Sequence, residues 1–179
     1  TNYVKNPDFE KYDTCPYKND QISLAKYWSS IDTFDLTSKK ECRGEYCNSC
    51  ASLASKVSVP YSSRYYQIAH SGNGFTLGYY FGDGASPYDY ESHRNYLQGR
   101  LFKTLTNGKS YCVSYYINLA EGTTYATNKM GAYLDDGSID TVSNCSVPIT
   151  HLKPQVYTDS VIKDTMNWVK IEGSFTANG

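Results

Sequence analysis

The chain has 179 residues, of which 40% are hydrophobic, and its 17 lysine and arginine residues against 18 acidic residues give a net charge of -1. So balanced a charge provides no broad basic field for nucleic acid or for an anionic membrane surface. No apolar run approaches the length needed to cross a bilayer, so the sequence predicts no membrane insertion. A chain of this length is expected to form one domain, and we predict a single domain over 1–179.

Alternation of apolar and polar residues predicts five strands, at Phe75–Phe81, Tyr96–Leu101, Ser110–Ala120, Lys129–Asp135 and Trp168–Thr176. Glycine-rich turn signals separate these runs, and Asn107-Gly108 predicts a hairpin that joins the second strand to the third. Only 41–56 and 88–96 have a composition that allows a helical turn. Short strands with regular turns indicate an all-β protein, organised as a β-sandwich or jelly roll.

Tyrosine is the strongest bias in the composition, with 19 tyrosines beside 6 phenylalanines and 2 tryptophans. The predicted alternation divides them into groups. Core positions are expected at Tyr79, Tyr111 and Tyr115, the opposite strand faces at Tyr80, Tyr116 and Tyr133, and loop surface at Tyr61, Tyr65, Tyr88 and Tyr90. The excess therefore does not by itself predict one binding site.

Six cysteines are typical of a disulfide-stapled protein from an oxidising compartment. Cys42, Cys47 and Cys50, with Cys112 downstream, also match the ligand spacing of a plant-type iron–sulfur cluster. The residues between them are not the small ones that wrap such a cluster, and two cysteines are left over. We therefore favour three disulfides, Cys15–Cys50, Cys42–Cys47 and Cys112–Cys145, among the many pairings that six cysteines allow.

The two ends of the sequence are unusual for a whole protein. The first residue is Thr1 rather than Met, and the turn signal Asn178-Gly179 follows a predicted strand with no returning strand after it. We interpret the chain as an N-terminal part of a larger protein in which the last strand of the domain is missing.

Several segments, in the correct order, resemble carbohydrate-binding modules of the family 4/9 type, which have a galactose-binding-like jelly-roll fold. They are Asn6-Pro7-Asp8-Phe9-Glu10 with the following Trp28, the hairpin Gly108-Lys109-Ser110-Tyr111-Cys112-Val113-Ser114, and the strand from Trp168 to Phe175-Thr176-Ala177. Asp13-Thr14-Cys15-Pro16 and Cys47-Asn48-Ser49-Cys50-Ala51 are also similar to a domain of secreted Bacteroidota surface proteins, some of them associated with gliding motility. The resemblance implies a jelly roll on the bacterial cell surface, exported by type 9 secretion.

In such a jelly roll the outward faces of three successive strands line one sheet. That arrangement predicts a ligand-binding face formed by Gln98, Arg100, Tyr116, Asn118 and Tyr133, with Tyr80 at its flank. Sugar rings have an apolar C–H face and a rim of hydroxyls, so a site for them combines flat aromatic rings with amide or guanidinium groups. Two alternatives stay open: the tyrosines cover a sheet face without binding anything, or the loop tyrosines form a protein contact.

The same resemblance implies a structural Ca²⁺ ion held in part by Glu10, against the alternative of an ordinary surface glutamate. It also implies O-glycosylation at Asp-Ser/Thr-aliphatic motifs, with Thr141, Ser160 and Thr165 as the acceptors. His70, His93 and His151 have no zinc-ligand spacing, and no nucleophile motif is present, so we predict no enzyme activity. The predicted function is an extracellular binding or adhesion module that recognises glycan. The alternative is a structural domain that contacts other proteins in a surface filament, adhesin or secretion complex.

Overall fold

The computed structural model describes residues 1–33, 44–62, 65–80, 94–139, 143–144, 149 and 151–178. Within these ranges the chain forms ten short strands and one turn of 3-10 helix at Ile22–Leu24, with no α-helix. The strands are β1 Trp28–Ser30, β2 Asp32–Thr33, β3 Glu45–Asn48, β4 Gly74–Leu77, β5 Leu97–Gly99, β6 Ser110–Ile117, β7 Gly131–Ala132, β8 Ser143–Asn144, β9 Val156–Tyr157 and β10 Val169–Thr176. The prediction of an all-β protein is confirmed.

The strands form pairs: β1 with β5, β2 with β8, β3 with β4, β6 with β10, and β7 with β9. All are antiparallel except β2–β8. Because each sheet has two strands in the described ranges, the jelly-roll arrangement stays a prediction. The predicted hairpin between 96–101 and 110–120 is wrong, since β5 pairs with β1 and β6 pairs with β10.

Backbone contacts group the chain into two compact units. Unit 1 comprises Thr1–Phe102 and Thr141–Pro148, and unit 2 comprises Lys103–Asp140 and Ile149–Gly179. No helix in the described ranges is long and apolar enough to cross a membrane.

The core of unit 1 surrounds Tyr46 in β3, which is fully buried together with Ile22 and Ala25. The Tyr46 hydroxyl donates a hydrogen bond to the carbonyl oxygen of Phe9 (2.8 Å) and accepts one from Asn48 Nδ2 (2.9 Å). Every residue of β3 is buried even though two of the four are polar or charged. The helical turn considered for 41–56 is therefore wrong at 45–48, where the chain is a strand.

The N-terminal segment is fastened to this core by the side chain of Asn6, which is 2% exposed. Its Nδ2 donates to the carbonyl oxygens of Lys11 (2.9 Å) and Lys26 (3.0 Å), and its Oδ1 accepts from the Lys11 N–H (2.9 Å). Trp28 Nε1 donates to the carbonyl oxygen of Asn6 (2.8 Å), and the Trp28 ring packs on Phe9 with centroids 4.8 Å apart. The N-x-x-F start and the tryptophan thus form one interlocked structure.

Two tyrosine assignments are wrong. Tyr65, expected on a loop surface, is 6% exposed because its ring packs edge-on against Phe75 of β4, with centroids 5.7 Å apart. Tyr79, expected in the core, is 52% exposed because β4 ends at Leu77 and the alternation does not continue to it. Tyr88 and Tyr90 lie outside the described residues.

The predicted disulfide Cys15–Cys50 is confirmed, with the Cα atoms 5.7 Å apart and the two residues 35 positions apart in sequence. It ties the N-terminal segment to the turn that follows β3. Cys47 is buried and Cys112 is exposed. Their predicted partners, Cys42 and Cys145, lie outside the described residues, so those two bridges stay predictions.

Unit 2 is built on the ladder of β6 and β10, which runs from Ser110 opposite Thr176 to Ile117 opposite Val169. The predicted alternation is confirmed, because exposed and partly covered residues alternate along both strands. The covered face packs on β9, where Val156 is 3% exposed. A Cβ atom added to Gly173 would lie 3.0 Å from Cγ1 of Val156. Gly173 therefore allows the close approach of the two layers.

Buried phenols give unit 1 a specific alkaline sensitivity. Burial raises the pKa of Tyr46 and Tyr65, and it raises the pKa of Tyr80 to about 12. A raised folded-state pKa stabilises the fold fully below the unfolded value of about 10, and this stabilisation is lost as pH rises through the folded value. We expect part of the phenolate absorbance at 295 nm to develop only near pH 12, together with loss of circular dichroism. Tyr80→Phe should raise the pH at which this late phase occurs. Tyr61→Phe removes an exposed phenol and should leave that pH unchanged. If all tyrosines ionised in a single phase, the expectation would be contradicted.

Candidate functional site

The predicted ligand-binding residues lie in three different sheets. Gln98 is in β5, Tyr116 is in β6, and Tyr133 directly follows β7, and these strands pair with β1, β10 and β9 respectively. Within the described ranges the three strands thus belong to separate two-stranded pairs, and a shared sheet face for them stays a prediction. Gln98 and Arg100 belong to unit 1, whereas Tyr116, Asn118 and Tyr133 belong to unit 2.

In unit 1 the segment 97–102 runs between two other segments. On one side β5 pairs with β1, and the Arg100 N–H donates to the carbonyl oxygen of Tyr27 (3.3 Å). On the other side Leu101 bridges Val4, flanked by hydrogen bonds from the Lys5 N–H to the Arg100 carbonyl oxygen (3.0 Å) and from the Phe102 N–H to the Tyr3 carbonyl oxygen (2.8 Å). Backbone hydrogen bonds on both sides hold this segment in place.

In this segment exposure alternates at Arg100, Leu101 and Phe102, whereas all three residues of β5 are half-buried. Leu97 packs against the core of unit 1, and Gly99 is covered by the Trp28 ring, which a Cβ atom at that position would approach to 2.8 Å. Gln98 is half-buried and Arg100 is exposed. The residues that alternate with Leu97 and Gly99 therefore form the outward face, as the sequence predicted.

This outward face carries a group of rings and cations, Lys5, Tyr27, Arg100 and Phe102, which we call the aromatic–basic patch; Lys5 is half-buried and the other three are exposed. The Lys5 ammonium lies over both rings, 5.2 Å from the centroid of Tyr27 and 5.9 Å from that of Phe102. Both distances are within the range of cation–π attraction. Phe102 is 62% exposed and Tyr27 is 49% exposed, so part of each ring is open to a ligand beside the Lys5 ammonium.

Sequence reasoning identified Arg100 and its neighbour Gln98 and missed the other three residues. Phe102 could have been predicted from the sequence, because it continues the i, i+2 alternation of Gln98 and Arg100 one residue past the end of the predicted strand. Lys5 and Tyr27 gave no such signal, since they come from irregular segments. Tyr27 has a positive φ of 72°, a conformation that local pattern does not predict for tyrosine.

The two cations of the patch stand opposite each other. Since Val4 pairs with Leu101, the next residues outward, Lys5 and Arg100, are directly opposite, and side chains at opposite positions of an antiparallel pair lie on the same face. The salt bridges of the described ranges are Lys26–Asp13, Lys129–Asp159 and Lys170–Glu172. None of them includes Lys5 or Arg100, so within those ranges no carboxylate neutralises the patch.

The tyrosines of unit 2 lie on opposite sides of it. Tyr116 is 39% exposed on the outer face of β6, opposite Lys170 of β10. Tyr133 is 41% exposed and alternates with Ala132, which pairs with the inward Val156, so its ring is on the side away from the β6–β10 ladder. Asn118 is half-buried just after β6. Unit 2 therefore does not bring Tyr116 and Tyr133 to one face.

Tyr80 is less accessible than the predicted face requires. It is only partly exposed, and its hydroxyl turns back over Gly78, where an added Cβ atom would lie 3.2 Å from it. An exposed pair of rings is found instead at Tyr61 and Tyr66, which are bridged to each other with centroids 4.8 Å apart and are 63% and 41% exposed. Ile68, 61% exposed, follows them in sequence.

The Glu10 carboxylate forms hydrogen bonds to the turn that contains Asn73. Its Oε1 accepts from the Asn73 N–H (2.7 Å) and its Oε2 from Asn73 Nδ2 (3.0 Å). Gly72, at φ +65°, lies against the carboxylate, because a Cβ atom there would come within 2.6 Å of it. In the described ranges no group of three or more His, Cys, Asp or Glu side chains is placed to hold a metal ion. The Ca²⁺ assignment for Glu10 stays a prediction.

The predicted glycosylation acceptors differ in accessibility. Ser160 is exposed, whereas Thr165 is half-buried in a turn. In that turn Asp164 accepts hydrogen bonds from the N–H groups of Met166 (2.9 Å) and Asn167 (2.7 Å), which hold the pKa of its carboxyl below the usual value. Thr141 lies outside the described residues. Ser160 is thus the more accessible of the two acceptors that the structure describes.

The chain matches no protein-family model, no curated protein and no solved structure. The resemblance to carbohydrate-binding modules therefore rests on the sequence motifs alone.

Proposed function

We propose that this chain is a non-catalytic binding module and that the aromatic–basic patch of unit 1 is its glycan-binding site. The observation that carries the proposal is the Lys5 ammonium held over two exposed rings, Tyr27 and Phe102, beside an exposed arginine. Exposed apolar groups that cluster on one surface commonly mark a site for a ligand or partner.

The chemistry of the patch fits a sugar chain. The C–H face of a pyranose ring stacks on the flat surface of Tyr27 or Phe102, while Arg100 and the Tyr27 hydroxyl supply hydrogen-bonding groups for the hydroxyl rim. Gln98, two residues before Arg100 on the same face, adds an amide at the edge of the patch. An open surface suits recognition along a polysaccharide, since no deep pocket is needed to receive an internal sugar unit.

The backbone that carries the patch is organised before any ligand binds. The main chain of Lys5, Tyr27, Arg100 and Phe102 is held in each case by a backbone hydrogen bond to or from segment 97–102. Binding then orders side chains on a backbone that is already in place, which limits its entropic cost.

The wider setting of the proposal is an extracellular protein. The Cys15–Cys50 disulfide supports an oxidising compartment. We propose further that the domain is a jelly roll of a secreted, cell-surface bacterial protein, in keeping with the motif resemblance.

Affinity electrophoresis of the purified chain in gels containing soluble polysaccharides tests the site. We expect retardation by at least one polysaccharide, and we expect Phe102→Ala or Tyr27→Ala to weaken it about tenfold, the size typical of an aromatic contact at the centre of a binding surface. Tyr17→Ala removes a ring that is 67% exposed but outside the patch, and it should bind like the unchanged chain. Retardation that both patch variants retain would place the sugar site elsewhere.

A second candidate function is contact with another protein in a surface assembly. It is favoured by the exposed Tyr61 and Tyr66 with the exposed Ile68 beside them in sequence, since tyrosine is enriched at the centres of protein interfaces. A structure of a complex with these three side chains buried against another chain, and no polysaccharide binding in the gels, would favour this function.

A further inference from the structure

Resting on the proposed glycan-binding function, we propose that the aromatic–basic patch selects acidic glycans, and specifically a sugar unit that carries a carboxylate. The stacking rings alone do not distinguish a neutral sugar from a uronic acid. The distinction comes from the two cations, Lys5 and Arg100, that share the face with those rings.

The placement of these cations is unfavourable for the protein by itself. Like charges at directly opposite positions of an antiparallel pair destabilise it, and Lys5 and Arg100 are opposite each other through the Val4–Leu101 bridge. By contrast, Lys26, next to Tyr27 in sequence, is neutralised by Asp13 at 2.9 Å. An anion bound between Lys5 and Arg100 relieves the repulsion that the described residues leave uncompensated.

The two cations also differ in a way that suits a carboxylate. The Arg100 guanidinium is a planar donor fork that can bind both oxygens of a carboxylate at once. The Lys5 ammonium is a point charge, and its position over the Tyr27 and Phe102 rings brings it next to the surface on which a pyranose would stack. A uronic acid can therefore place its ring on an aromatic side chain and its carboxylate between the cations.

The test compares polygalacturonate with its methyl ester, which has the same backbone without the charges. In affinity electrophoresis we expect the unchanged chain to bind the acid form about tenfold more tightly, as for a hydrogen bond to a charged group. Arg100→Gln and Lys5→Gln should weaken binding to polygalacturonate about tenfold more than they weaken binding to the ester, whereas Phe102→Ala should weaken both to a similar extent. Lys18→Gln removes one positive charge at an exposed position outside the patch and should leave both affinities unchanged.

The outcomes separate this inference from the function on which it rests. Equal binding of the two polymers, with loss of both in Phe102→Ala, overturns the selectivity and leaves the glycan-binding function standing. Retardation by no polysaccharide overturns both. Loss of polygalacturonate binding in Lys18→Gln as large as in Arg100→Gln shows general charge attraction and overturns the site. The last comparison uses dextran sulfate, with dextran as its uncharged control. Tighter binding to dextran sulfate than to polygalacturonate would assign the acidic group to a sulfate and overturn the proposed selectivity for a carboxylate.

Discussion

Replacing Cys15 and Cys50 together with alanine is expected to lower the free energy of unfolding by about 3–4 kcal/mol, the loss that chain entropy assigns to a loop of this size. The two residues are 35 positions apart, and the disulfide removes many conformations from the unfolded chain. Cys50 is exposed and Cys15 is half-buried, so little packing is lost with the sulfur atoms. Urea unfolding followed by circular dichroism measures the change.

The single variants are the matched controls for this prediction. Opening the ring at either end removes the same constraint, so Cys15→Ala and Cys50→Ala should each lose about as much as the double variant. Two outcomes would show that the bridge does not act through the unfolded chain. In one, the losses of stability in the two single variants add up to the loss in the double variant. In the other, the double variant loses less than about 0.5 kcal/mol, as at an ordinary surface position.

The two longest strands could be predicted from the sequence because their periodicity is strong. In β6, β-branched or aromatic residues recur at every second position over eight residues, and in β10 they do so at every second position except Gly173. The structure confirms both strands and their covered faces. Their pairing was not predictable from the turn signal: Asn107-Gly108 does form a turn, but the Gly108 N–H donates to the carbonyl oxygen of Ala177 (2.8 Å) at the end of β10.

The buried strand β3 could not be found in the same way. Its residues Glu45, Tyr46, Cys47 and Asn48 have no apolar alternation, and all four are buried. Burial is stable for Tyr46 because its hydroxyl donates to the distant Phe9 carbonyl oxygen, and for Asn48 because its side chain bonds to Tyr46 and to the Cys50 N–H. A hydrogen bond between residues 37 positions apart leaves no local signal in the sequence.

In the candidate site, too, the residues given by local strand alternation were predictable and the residues brought in by tertiary contacts were not. Arg100 and Gln98 were predicted because strand alternation is a local property. Their grouping with Tyr116 and Tyr133 depended on an assumed sheet order, and the structure pairs those strands differently. Lys5 and Tyr27 join Arg100 through pairings of the irregular segment 3–5 and of residue 27 with segment 97–102, which are tertiary contacts. Residues on one strand were therefore predictable, and residues that meet across strands were not.

Tyr46→Ala is expected to lower the free energy of unfolding by about 3–5 kcal/mol, the cost of removing a large buried ring, because Tyr46 is fully buried in the core of unit 1. Tyr46→Phe keeps the ring and removes the hydroxyl, which leaves the Phe9 carbonyl oxygen and Asn48 Nδ2 without that partner. It should cost about 1–3 kcal/mol, the penalty for buried polar groups that lose a hydrogen bond.

Tyr17→Ala, at a ring that is 67% exposed, is the control and should stay within about 0.5 kcal/mol of the unchanged chain. Urea unfolding ranks the three variants. A Tyr46→Phe variant as stable as the unchanged chain would mean that the hydroxyl does not hold the N-terminal segment to β3, and the larger loss in Tyr46→Ala would then come from packing alone.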